Sequence, residues 1–172
     1  MGRLSGSPTV ETLVAFVVVF ALQSVARPLG LGGLFVLAPP LYETPVALVL
    51  LGLPVEHETT RARFHAFFLV TGSLAALAEI TVGALFAPRA VGVLGASGAL
   101  FALLGYMLTG NPLSGSALDR LNLSRRAQLL VFAAVAVVIT FATSAPRVAL
   151  VAHFTGLLLG LVAGRTRLLR VR

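Results

Sequence analysis

The sequence predicts an all-α membrane protein, a polytopic bundle of six transmembrane helices in one domain over residues 1–172. Three observations predict the helical membrane bundle. Of the 172 residues, 58% are hydrophobic and only 11% charged, with a mean hydropathy of +0.99, too little polar surface for a soluble domain of this length. The apolar residues fall into six runs divided by Pro, Gly or Arg, most of them near the roughly 20 residues that cross a bilayer as a helix. The arginines, finally, are unequally shared between the two ends of those runs. Helix is the form these lengths allow, because backbone polar groups in lipid must be satisfied within the segment.

Residues 1–9 read as a polar N-terminus on the cytoplasmic side. The first span, Val10–Ala26, follows MGRLSGSPTVE and lacks a small-x-small cleavage site before Arg27, so it reads as a retained span and not a signal peptide. The second, Leu31–Val55, is interrupted by PPLYETP at residues 39–45. The apolar stretch VALVLLGLPV that follows, residues 46–55, rises only about 15 Å as a helix, half of the hydrocarbon core. Pro39, Pro40 and Pro45 each remove a donor and disfavour helix in the residue before them. Either a broken helix crosses here with Glu43 near its middle, or the region is short. The third and fourth spans are Phe64–Phe86 and Val91–Leu108. GNPLSGSALDRLNLSRR, residues 110–126, is the longest polar connection, broken at Pro112. Leu129–Thr143 and Val148–Ala163 complete the count, and residues 165–172 form a basic cytoplasmic tail.

With the N-terminus inside, one side collects Arg3, Arg61, Arg63, Arg120, Arg125, Arg126, Arg165, Arg167, Arg170 and Arg172; the other keeps Arg27, Arg89 and Arg147. This bias predicts a multi-pass protein of the cell membrane with both termini cytoplasmic. A pI near 11.7 would suit nucleic acid, but arginines at the ends of apolar runs mark topology, and no nucleic-acid partner is assigned. Cysteine is absent, which excludes disulfides, thiolate metal sites and cysteine nucleophiles. No His/Asp/Glu cluster has metal-ligand spacing, and no pair of intramembrane aspartates exists. No metal or cofactor is expected.

Few polar groups lie inside the spans. VGVLGASGALFALLGYML holds Ser97 between Gly95-Ala96 and Gly98-Ala99. On a helix starting at Ser97, Gly98, Ala102 and Gly105 make a small-residue face that a second helix can approach closely. Such a face also suits plain helix packing. The last span, VALVAHFTGLLLGLVAGR, places Ala152, Gly156, Gly160 and Gly164 at strict four-residue spacing, with His153 beside the groove. An ionisable imidazole in a membrane span marks a functional site by default. Brought against a serine hydroxyl it makes a nucleophile–base pair; bonded to a neighbouring carbonyl it is structural. Glu79, in LAALAEITVGALF, pairs with Arg89 or Arg147 or faces a wet cavity. Glu56 and His57 read as solvated, and His65 with Phe64 as marking an interface.

Gly95-Ala96-Ser97-Gly98-Ala99 in a fourth span, and Ala152-His153-Phe154-Thr155-Gly156 followed by Gly160 and Gly164 in a sixth, resemble the rhomboid family of intramembrane serine proteases. GLPVEHETTRARFHAFFLVTGSLAALAE also looks like that family's passage from second to third span, so the resemblance covers about Val46 to Gly164. It implies Ser97 as nucleophile, His153 as general base, and Phe101 as the aromatic that packs on the histidine. Gly95, Ala96 and the Ser97 N–H would support the oxyanion. Substrates would be transmembrane helices of other proteins, met within the lipid bilayer. One departure is plain. The family's His-x-x-x-Asn in the second span falls here on Pro40 and Thr44, and its long outer loop with a Trp-Arg motif is missing from a chain without tryptophan. A catalytically impaired relative that binds membrane helices without cutting them is therefore the alternative, and a small transporter or scaffold of unrelated fold a third. Substrate identity and oligomeric state have no signature in the sequence.

Overall fold

A computed structural model describes residues 6–26, 28, 43–83, 85, 96–111, 120–143 and 149–171. Among them are six helices and no strand, in keeping with the all-α expectation. They are α1 (Pro8–Ala26), α2 (Glu43–Glu56), α3 (Arg61–Ala78), α4 (Ser97–Gly110), α5 (Arg125–Ala142) and α6 (Leu150–Arg165), and α3 runs on into a π turn at Glu79–Gly83. By length and composition Pro8–Val25, Arg61–Val82 and Arg125–Ala142 are long and apolar enough to cross a membrane, while α2, α4 and α6 are shorter apolar helices.

Caps decide where these helices begin. Pro8 opens α1, where its missing N–H costs nothing. The Ser7 hydroxyl before it accepts from the N–H of Val10 (3.2 Å). Thr60 caps α3 by accepting from Arg63 N–H (3.3 Å), and Ser124 caps α5 by accepting from Ala127 N–H (3.3 Å). Both caps start their helices about a turn earlier than the apolar runs alone suggest, because arginine is a good helix former and needs no burial. The helix of the second apolar region starts at Glu43. Its 14 residues rise roughly 21 Å, short of the hydrocarbon core. Residues 29–42, with Pro39 and Pro40, lie outside the described residues.

Packing is organised around α4. Nine of its 14 residues are buried, from Gly98 to Gly110, and it touches α2, α3 and α6. One apolar core joins Leu48 and Val55 of α2, Phe64, Phe67 and Phe68 of α3, and Leu100, Leu103 and Tyr106 of α4. A second joins Phe132 and Ala136 of α5 to Leu157 and Leu161 of α6. Outward-facing Leu130, Leu69 and Phe141, each more than three-fifths exposed, form the apolar exterior expected where the solvent is lipid.

The tightest contact is between α4 and α6, which run parallel. Gly156 lies against the carbonyl oxygen of Gly98, Gly160 against that of Ala102, and Gly164 against that of Tyr106. In the other direction, Gly105 abuts the carbonyl of Leu157. A Cβ at any of these positions would overlap backbone, which cannot swing aside. Thr109 adds a hydrogen bond across the seam, its hydroxyl donating to the Leu161 carbonyl at 2.7 Å. Such interhelical bonds contribute on the order of 1 kcal/mol in membranes.

The arginine-rich end is more structured than the sequence suggests. Glu56, read above as solvated, accepts hydrogen bonds from the Ser7 hydroxyl (2.6 Å) and the Thr9 N–H (3.1 Å), so the end of α2 caps the start of α1. Glu11 pairs with Arg61 and with His65 Nε2 (2.8 Å), tying α1 to α3. The basic tail folds back. Arg167, at φ 53°, ends α6 with Arg167 N–H on Gly164 O (2.9 Å) and Leu168 N–H on Ala163 O (3.0 Å). Leu169 enters the first core, and Val171 N–H donates to Glu58 O (3.0 Å).

A glycine contrast tests the seam. Gly160→Ala is expected to lower stability by roughly 2 kcal/mol or more, as overpacking against backbone does. Gly72, whose added Cβ would meet only Ala99 Cβ at 3.3 Å, is expected to change by under about 1 kcal/mol on Gly72→Ala, where helix propensity offsets crowding. Unfolding of both variants in detergent micelles checks this.

Candidate active site

Ser97 is the first residue of α4, half-buried, preceded by Ala96 as the N-cap. The first intrahelical bond here is Leu100 N–H on Ala96 O (3.0 Å). Consequently the N–H groups of Ser97, Gly98 and Ala99 have no acceptor within the helix. A serine at this place carries its hydroxyl beside N–H groups that have no acceptor inside the helix, at the positive end of its dipole, an arrangement that suits developing negative charge. Gly95, the other residue expected to shape this turn, lies outside the described residues.

His153 is the fourth residue of α6, its N–H donating to Ala149 O (3.1 Å). It is 8% exposed, and its Nδ1 is buried without a hydrogen-bond partner. Its ring stacks on Phe101, with centroids 4.1 Å apart and planes 16° from parallel. Phe101 stands four residues after Ser97, so the two share one face of α4 a single turn apart. The parallel seam thus carries the Ser97 end of α4 and the His153 turn of α6 to the same end of the bundle. No hydrogen bond joins Ser97 to His153 in this structure. Catalytic hydrogen bonds in proteins without substrate are often long and tighten only in the complex.

The small residues divide their work. Ala152 presents its carbonyl toward Gly98, while Gly98 also nests against Ala75 Cβ of α3. Gly156, Gly160 and Gly164 receive the carbonyl oxygens of α4, and Ala102 and Gly105 lie on the matching face. Ala99 and Ala102 are essentially inaccessible. A neighbouring group has a less obvious source. Glu79, at the start of the π turn, accepts a hydrogen bond from the Ala152 N–H at 2.9 Å. The arginines expected as its partners, Arg89 and Arg147, lie outside the described residues. Among the described residues no three His, Asp or Glu side chains gather as a metal site.

Phe101→Ala removes one wall of the imidazole. It is expected to leave the helices intact yet release His153, seen as loss of the upfield displacement that a stacked ring imposes on the imidazole C–H proton signals; Phe101→Tyr is expected to keep it. The stack itself contributes on the order of 1 kcal/mol.

A family model for the Rhomboid domain matches residues 45–170. No curated protein and no solved structure matches the chain.

Proposed function

Since the chain belongs to the rhomboid family, we propose that it is an intramembrane serine endopeptidase that cleaves transmembrane helices of other membrane proteins through Ser97 and His153. The observation that carries the reading is the buried His153 imidazole, with an unpartnered Nδ1, stacked on the aromatic one turn beyond a helix-initial serine.

The chemistry needs only this chain's groups and water. His153 takes the proton of Ser97 Oγ as that oxygen bonds to the scissile carbonyl carbon. The negative charge passes to the carbonyl oxygen, which the Ser97 N–H, without an acceptor inside α4, stabilises. The imidazolium then gives its proton to the departing amine as the C–N bond breaks, leaving an acyl group on Ser97. Water, deprotonated by His153, cleaves that ester and restores the serine. Phe101 keeps the imidazole plane fixed through the cycle, and the glycine seam holds both helices in register.

One observation favours a slower enzyme or a binder that does not cut. The two positions matching the family's His-x-x-x-Asn are Pro40, without a donor, and Thr44, in the first turn of α2. Loss of one oxyanion donor commonly lowers the rate by about 10²–10³-fold. The second reading is therefore a rhomboid relative that holds membrane helices without hydrolysing them. In either case the partners are transmembrane segments and the bilayer, with no cofactor and no nucleic acid. The arginine bias supports cytoplasmic termini, which puts Ser97 and His153 toward the outer side of the cell membrane.

A fluorophosphonate serine probe applied to the protein in bilayers tests the proposal. The wild type is expected to label on Ser97, and Ser97→Ala and His153→Ala to lose at least 99% of the labelling, since loss of a nucleophile or its base costs about 10⁴-fold or more. Absence of labelling in the wild type would sink the enzyme reading. Labelling without cleavage of any transmembrane substrate, together with retained binding, would favour the second.

A further inference from the structure

The first turn of α6 has no cap of its own. Ala149, its N-cap residue, offers no side-chain hydrogen bond, and the opening N–H groups of a helix find no acceptor inside it. One of them, Ala152 N–H, is satisfied from a different helix by Glu79 Oε2 at 2.9 Å. Ala152 is the residue directly before His153. The hydrogen bond therefore acts on the one turn of α6 that carries the imidazole.

Glu79 reaches there because it continues, at four-residue spacing, the buried face of α3 set by Thr71 and Ala75, its own N–H still bonding Ala75 O. At Glu79 the winding widens into a π turn over Glu79–Gly83, which rotates the following residues relative to an α-helix; π turns are frequent at functional sites. A carboxylate within LAALAEITVGALF is costly without a partner, and the positive end of the α6 dipole supplies a favourable one. Other charged and titratable side chains on the packed helices lie elsewhere. Arg61, Arg63 and His65 open α3 at its far end, Tyr106 lies beside Gly110, and Arg125 and Arg126 open α5 near Gln128, which holds Arg165. Among the described residues of α3 to α6, Glu79 is the charged side chain at the His153 end.

We propose that Glu79 is a positioning residue: its hydrogen bond to Ala152 N–H pins the first turn of α6 to the end of α3 and so sets the height and rotation of the His153 ring against Phe101 and Ser97. Its catalytic consequence rests on the protease reading above; its structural consequence does not. Gly98 fits the same scheme, since it is wedged between Ala75 of α3 and the Ala152 carbonyl. The end of α3 thus meets α4 and α6 together, where Ser97 and His153 begin their respective turns.

Two readouts on the full chain test this. Glu79→Ala is expected to weaken the ring-current displacement of the His153 imidazole signals and to slow fluorophosphonate labelling of Ser97 by roughly 10–100-fold, the scale of a small misplacement of reacting groups. Glu79→Gln keeps an acceptor oxygen of the same reach and is expected to restore both, to within about threefold of wild type in rate. If Glu79→Ala does not fold, Glu79→Asp, shorter by one methylene, takes its place with the same expectations. Imidazole signals unchanged in folded Glu79→Ala would overturn the proposal. So would Glu79→Gln as slow as Glu79→Ala, because the hydrogen bond would then not be what matters. A wild type that never labels removes the protease reading alone, and the imidazole signals still decide whether Glu79 positions His153.

Discussion

The structure depends on backbone touching backbone between α4 and α6. Three glycines of one helix receive three carbonyl oxygens of the other, and the Thr109 hydroxyl joins the contact at Gly164. In lipid there is no hydrophobic drive to bring apolar helices together, so close van der Waals packing must do it. A seam of this kind is unforgiving in register: a shift by one residue puts Leu157 or Leu161 where a glycine must be. That rigidity is what a two-residue site on two helices requires. Ser97 and His153 are far apart in sequence, and their relation is set by a contact that cannot slide.

The other helices divide between support and exterior. α3 packs on both members of the pair, meeting Gly98 through Ala75 and α6 through Glu79. α5 packs on α6 through Phe132 and Ala136 and leaves much of its own surface to lipid. α1 touches α2 and α3 and is fastened at the arginine-rich end by Glu56 and by the Glu11 pairs with Arg61 and His65. The polar fastening and the candidate site therefore occupy opposite ends. An end held by charge and hydrogen bonds leaves the other free to carry a site whose groups are not all committed to stability.

Much of this was legible in the sequence, for identifiable reasons. Four-residue spacing of Ala152, Gly156, Gly160 and Gly164 is a property of one helix face and needs no knowledge of the partner. Ser97 and His153 stand out because hydroxyl and imidazole groups are rare among their apolar neighbours. What stayed hidden are bonds from side chains to distant backbone. Glu79 on Ala152 N–H and Glu56 on Thr9 N–H have backbone partners, and a backbone N–H has no letter in the sequence. Leu169 is similar: in RTRLLRVR it reads as part of a basic flank, and only the reversal at Arg167 turns it into the core. The second apolar region was readable as broken or short, but not as to where its described helix begins. Glu43 and Pro45 both suit a first turn, where proline lacks nothing.

In this structure the glycine seam, and not the mere presence of a serine and a histidine, makes the candidate site. Rates of fluorophosphonate attachment to Ser97 in Gly156→Ala, set against wild type under conditions where both retain full helix content, test it most directly. The added methyl would meet the Gly98 carbonyl, next to Ser97, and a loss of roughly 100-fold or more is expected, as for a displaced reacting pair. A folded Gly156→Ala protein that labels Ser97 at the wild-type rate would contradict it.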